Sequence, residues 1–132
     1  MTLTIGQRAS RTTTMTSEMI ERFAAATGDT NSIHLDDEFA KTTRFGKRIA
    51  HGMLTAGLIS AVLANELPGP GTIYLGQTVA FKAPVFIGDV ITATVEVTAY
   101  REAKRIATLK TTCVNQDGVT VVEGEATVLA PE

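Results

Sequence analysis

The stretch Gly52–Leu67, GMLTAGLISAVLANEL, is apolar around nearly its whole circumference, and Ala56, Gly57, Ser60 and Ala61 are small enough to let neighbours approach closely. A helix of this character is wrapped by other structure, whereas a surface helix shows a single apolar stripe. At ~1.5 Å per residue it would run roughly 24 Å, about the width of a small domain. Pro68-Gly69-Pro70-Gly71 ends it, because proline cannot continue the hydrogen-bond ladder. The rest of the chain must supply the wrapping.

Downstream, residues 72–83 (TIYLGQTVAFKA) read as a strand with a break or bulge at Pro84. Over 89–100, Ile91, Ala93, Val95, Val97 and Ala99 alternate with Thr92, Thr94, Glu96 and Thr98, which predicts a strand with one apolar and one polar face. Arg101–Lys104 turns the chain into a strand over 105–115, and Asp117-Gly118 signals a two-residue hairpin into a last strand over 119–129. Upstream, residues 3–14 fit an edge strand or an extended lead-in. Thr16 or Ser17 caps a helix whose apolar face is Met19, Ile20, Phe23, Ala24 and Ala26, and Gly28 ends it by taking φ > 0. Asp36 or Asp37 opens a short helix through Phe39 and Ala40. The reading is one α+β domain, residues 1–132: a helical first half, then a meander of antiparallel strands. A sheet with one solvated face must bury the other, and the central helix is the element available to cover it. An antiparallel β-sheet wrapped around a long central helix is the hotdog fold. Sheet edges of that fold commonly pair with a second copy, which predicts a dimer.

Composition narrows the function classes. A net charge of −2 excludes general electrostatic nucleic-acid binding, and five Phe, two Tyr and no Trp leave little for base stacking. No apolar run reaches membrane-spanning length, so no membrane partner is expected. The N-terminus lacks an apolar signal core, and the single Cys113 forbids an intrachain disulfide; both fit a cytoplasmic protein. Cys113 sits in a strand-like run and reads as a buried small hydrophobe rather than a catalytic thiol.

Two short stretches carry the chemistry. Gly28-Asp29-Thr30-Asn31-Ser32-Ile33-His34-Leu35 places a carboxylate, an amide and an imidazole in one loop. Ala50-His51-Gly52-Met53-Leu54 places a glycine amide at the N-terminus of the central helix, where N–H groups lack intrahelical partners and the dipole is positive. An acid/base pair beside an anion-stabilising amide suits a reaction passing through an enolate-like oxyanion. Asp29 and His34 do not share a helix face and can meet only through loop folding. The same residues also fit a plain turn cluster, with His34 as a hydrogen-bonded structural histidine. His51 fits a helix N-terminal residue with a structural task. On ligand type alone His34, His51 and Asp36 or Asp37 could hold a metal, but no His-x-x-x-His or Cys/His cluster supports it, and none is expected. Ser60 lacks the G-x-S-x-G setting of a nucleophile, and Gly69 and Gly71 do not open a phosphate loop. Lys41, Arg44, Lys47 and Arg48 bunch between the two stretches, fitting either a solvated loop or a docking site for a phosphorylated small molecule.

GDTNSIHLDDEFA, then AHGML, then IYLGQTVAFKAPVFIGDVITATVEV, together closely resemble the MaoC-like (R)-specific enoyl-CoA hydratases of the hotdog superfamily. The similarity covers almost the whole chain. One departure is Ser32, where the family often has proline after the asparagine; it loosens the loop without removing a functional group. The resemblance implies reversible addition of water to a trans-2-enoyl-CoA, giving (3R)-3-hydroxyacyl-CoA. It makes Asp29 and His34 the catalytic pair, Asn31 their support and Gly52 N–H the oxyanion donor, and it places Ser60 near the acyl pocket. It also implies an acyl-CoA thioester substrate with no separate cofactor, and a homodimer with active sites at the interface. Roles in fatty acid metabolism, whether polyester (polyhydroxyalkanoate) precursor supply or auxiliary β-oxidation, are compatible with it. A thioesterase or a non-catalytic acyl-CoA-binding subunit on the same scaffold are the alternatives.

Overall fold

The computed structural model of the chain describes residues 2–132. Its elements run β1 (Arg8–Thr14), α1 (Ser17–Thr27), α2 (Ser32–Leu35), α3 (Asp37–Lys41), α4 (Gly52–Asn65), β2 (Ile73–Phe81), β3 (Val90–Arg101), a single 3₁₀ turn at Glu102–Lys104, β4 (Ile106–Val114) and β5 (Thr120–Leu129). The strands form one antiparallel sheet in the order β1-β3-β4-β5-β2, and α4 touches all five. This is the α+β hotdog arrangement expected from the sequence.

The core is the sheet's apolar face closed by α4. Ile59, Val62 and Leu63 of the helix meet Ile91, Val95 and Val97 of β3, Leu109 and Cys113 of β4, and Val121, Ala126 and Val128 of β5. Each large aliphatic side chain sealed there contributes about 1.5–3 kcal/mol relative to exposure. Thr16 caps α1, its hydroxyl accepting from Met19 N at 3.2 Å, and Gly28 ends it in the left-handed region at φ 81°. Tight packing also governs β2: a Cβ on Gly124 of β5 would stand 1.8 Å from the Thr78 carbonyl oxygen.

Four expectations change. The strands are not a simple meander, because β2 crosses to the far edge and pairs with β5 rather than β3. The alternation in β3 holds from Ile91 to Val97, but a register shift between Val97 and Ala99 turns Ala99 outward. The β4–β5 connection is longer than two residues: Asn115 N donates to Val119 O, and Gly118 takes φ 77° inside the loop. Finally, α4 is not covered all round, since Met53, Gly57 and Ala64 form an exposed stripe along one flank.

Candidate active site

The site is assembled at the start of α4. Beyond Gly28, Asp29 N donates to Thr27 Oγ1 at 3.2 Å, and Asp29 Oδ1 accepts from Asn31 N at 3.4 Å. Asn31 then caps α2, its Oδ1 accepting from Ile33 N at 3.1 Å. It thus supports both members of the expected pair, holding the Asp29 carboxylate with its backbone and the helix that carries His34 with its side chain. The expected loop contains this one helical turn, which is too short to leave a periodic signal.

His34 is buried, and its Nδ1 lies 2.7 Å from the Ile49 carbonyl oxygen. A carbonyl only accepts, so Nδ1 carries the proton and Nε2 of the neutral ring is left to exchange one. His51, also buried, directs Nε2 at the Asp29 carbonyl oxygen at 2.9 Å. The two imidazoles stack, with centroids 3.9 Å apart and planes inclined by 27°. Asp29, His34 and His51 each offer one side-chain donor atom, all within 4.8 Å of one another. These three, and not Asp36 or Asp37, are the residues with donors suited to a metal. Asp36 instead caps α3, accepting from Glu38 N and Phe39 N.

Gly52 is the first residue of α4, where its N–H has no intrahelical acceptor. Asp29, His34 and Gly52 all line one cavity of about 410 Å³, together with Arg44, Phe81 and Lys82. The three residues expected to act together therefore border one shared volume. Ser60 lines a second cavity of about 390 Å³ beside β2, and Met53 borders both.

The basic cluster divides. Arg44 lines the first cavity, while Lys41 pairs with Glu38 at 3.0 Å and Lys47 lies over the Phe86 ring at 4.4 Å. Arg48 is no phosphate ligand in this arrangement. Its guanidinium is largely buried and donates to Asp37 Oδ1 at 3.0 Å, Ser17 Oγ at 3.1 Å and the His34 carbonyl at 3.3 Å. It fastens α1, α2 and α3 together. Lys82 is a cavity cation that the sequence did not single out; it follows β2 directly and pairs with Glu123 at 3.6 Å. Cys113 is buried, and desolvation pushes its thiol up to about 12, far from nucleophilic use.

The sequence model of the MaoC like domain matches residues 3–119. The chain is similar to the (R)-specific enoyl-CoA hydratase of Rhodospirillum rubrum, with 52% identity covering 96% of this chain and 87% of the relative. It is similar as well to the (R)-specific enoyl-CoA hydratase of Aeromonas caviae, with 50% identity over 98% of this chain and 96% of the relative. The solved structure of the A. caviae (R)-hydratase involved in PHA biosynthesis superimposes with a TM-score of 0.95, covering 98% of both chains at 50% identity.

Proposed function

The chain belongs to the MaoC-like domain family, and from that premise we propose that it is an (R)-specific enoyl-CoA hydratase, adding water reversibly to a trans-2-enoyl-CoA to give the (3R)-3-hydroxyacyl-CoA. The observation that carries this reading is the convergence of Asp29, His34 and Gly52 on one cavity. Addition of hydroxide at C3 moves negative charge through C2 onto the thioester oxygen. An N–H aimed at that oxygen gains strength as the charge develops, so it lowers the barrier more than it stabilises bound substrate. The Asp29–His34 pair takes one proton from the attacking water and returns one to C2, so hydroxyl and hydrogen add across the double bond and no electrons leave the substrate. Neither a redox cofactor nor a metal has a step in this scheme.

The acyl chain is assigned to the passage from Gly52 past Met53 toward Ser60, and the CoA phosphates to Arg44 and Lys82 at the cavity mouth. A homodimer with its sites at the interface is part of the same proposal. The terminal strand β2 exposes Ile73, Leu75 and Phe81, and Met53 and Gly57 of the open α4 flank line the second cavity together with Leu75. A single chain leaves this apolar area and a free strand edge in water, which a second copy removes. Phe81 belongs to both the exposed strand and the site cavity, so the same partner closes the site. No described helix is long and apolar enough to cross a membrane, and a cytoplasmic location is proposed with the soluble CoA substrate.

The test is the absorbance loss of crotonyl-CoA with chiral analysis of the product. Formation of (3R)-3-hydroxybutyryl-CoA supports the reading. Release of free thiol without hydration identifies a thioesterase instead.

A further inference from the structure

His51 stands where an N-cap side chain belongs, yet it makes no capping hydrogen bond to α4. It is nevertheless almost wholly buried, at 2% exposure. Two of its side-chain contacts lead to the dyad: Nε2 lies 2.9 Å from the Asp29 carbonyl oxygen, and the ring stacks on His34 at 3.9 Å between centroids; Phe23 of α1 packs against it at 4.7 Å. Gly52, the expected oxyanion donor, is its covalent neighbour. Because a carbonyl oxygen only accepts, the contact fixes the proton on Nε2. Nδ1 is then the bare nitrogen of the neutral ring, and it is buried with no hydrogen-bond partner among the described residues. A polar side chain left half-satisfied in a core costs stability, so a histidine that merely fills space there is a poor choice beside leucine or phenylalanine.

We propose that His51 is a positioning residue of the hydration reaction, setting the Asp29 backbone, the plane of the His34 ring and the start of α4 in one fixed relation. The inference rests on the hydratase reading above and adds a residue to it. Asp29 lies in an exposed turn held by short-range contacts, and the long-range bond from His51 ties that turn to the helix that carries the oxyanion donor. The stack leaves His34 free to exchange protons at Nε2 while limiting its rotation about the Ile49 contact. The two imidazoles carry opposite tautomers, Nδ1–H on His34 and Nε2–H on His51.

The chain has two histidines, so ring-¹⁵N-labelled protein gives a directly assignable long-range ¹H–¹⁵N spectrum. At mildly alkaline pH the expected result is one ring of each tautomer, with the Nε2–H ring lost in His51→Gln. Two Nδ1–H rings overturn the proposal. Kinetics on crotonyl-CoA separate positioning from filling. His51→Leu should lower kcat by ~10²-fold with KM held within ~3-fold, the size of effect expected from displacing a reacting group by a fraction of its working distance. His51→Gln, whose amide nitrogen reaches the position of Nε2, should recover about 10-fold of that loss through the restored hydrogen bond. Equal kcat in the Leu and Gln variants, or wild-type kcat in the Leu variant, overturns the role. If the Leu variant does not fold, His51→Phe takes its place, since it keeps the ring stack and removes the donor. Inactivity of the wild-type protein on crotonyl-CoA sinks the hydratase reading, while the tautomer pattern decides the His51 contact in the same sample.

Discussion

Gly52 and Phe81 approach so closely that a Cβ on the glycine would stand 2.7 Å from both Cδ1 and Cε1 of the ring. Gly52 has helical rather than left-handed backbone, so space and not φ demands glycine here. The aromatic ring at the end of β2 thus lies directly against the glycine whose amide is proposed to receive the thioester oxygen.

Replacing Gly52 by alanine should spare the fold and damage the site. Alanine favours a helix over glycine by about 1 kcal/mol, and the clash is with the free end of a half-exposed side chain rather than with backbone. The ring must move, and because it lines the cavity kcat/KM on crotonyl-CoA should fall ~10-fold or more, with thermal stability unchanged or raised. Phe81→Ala in the same background should restore part of the activity. Wild-type kcat/KM in Gly52→Ala means the ring and the glycine do not define the substrate's position.

How much of this was legible in the sequence depends on how local each signal is. The Gly28 helix stop, the Asp29–His34 pair and the glycine opening α4 are marked by residues within a few positions of the feature. Strand partners are not, and nothing in Ile73–Phe81 itself says that it will lie beside β5 instead of β3. The β3 alternation was readable up to Val97 but not the register shift that turns Ala99 outward. Arg48 reads as one more surface cation because its acceptors come from three separate elements. His51 looked like a helix-start residue because its polar partner is the carbonyl of a residue in another loop.

That division of the basic residues makes a prediction of its own. Arg44→Ala should raise KM for CoA substrates several-fold and leave kcat and stability alone. Arg48→Met should do the reverse, lowering stability by about 1.5–3 kcal/mol through loss of hydrogen bonds from a charged group, and lowering kcat as the His34 turn loosens. Denaturation midpoints and kinetics on crotonyl-CoA read both. A selective KM effect from Arg48→Met would return that residue to the substrate site.

Cys113 provides a pH-dependent check on the core. Its thiol is raised from 9.0 to about 12 by burial, so the folded chain holds this proton where the unfolded chain releases it. The sign follows directly: the contribution is fully present below the unfolded value and is lost as pH rises through the window from 9.0 to about 12. Stability should therefore fall across that window, and Cys113→Ala should fall less steeply. A thiol reagent should leave native Cys113 unmodified at neutral pH and react once the chain is unfolded. Rapid labelling of the native protein would place the thiol outside the sheet–helix core.

The central claim is that Asp29 and His34 exchange protons with one substrate above the Gly52 amide. Its most direct test is kcat on crotonyl-CoA for Asp29→Asn and His34→Gln, both near-isosteric changes. Each should lose ~10²–10⁴-fold with the fold and KM retained. Near-wild-type kcat in either folded variant would contradict the account.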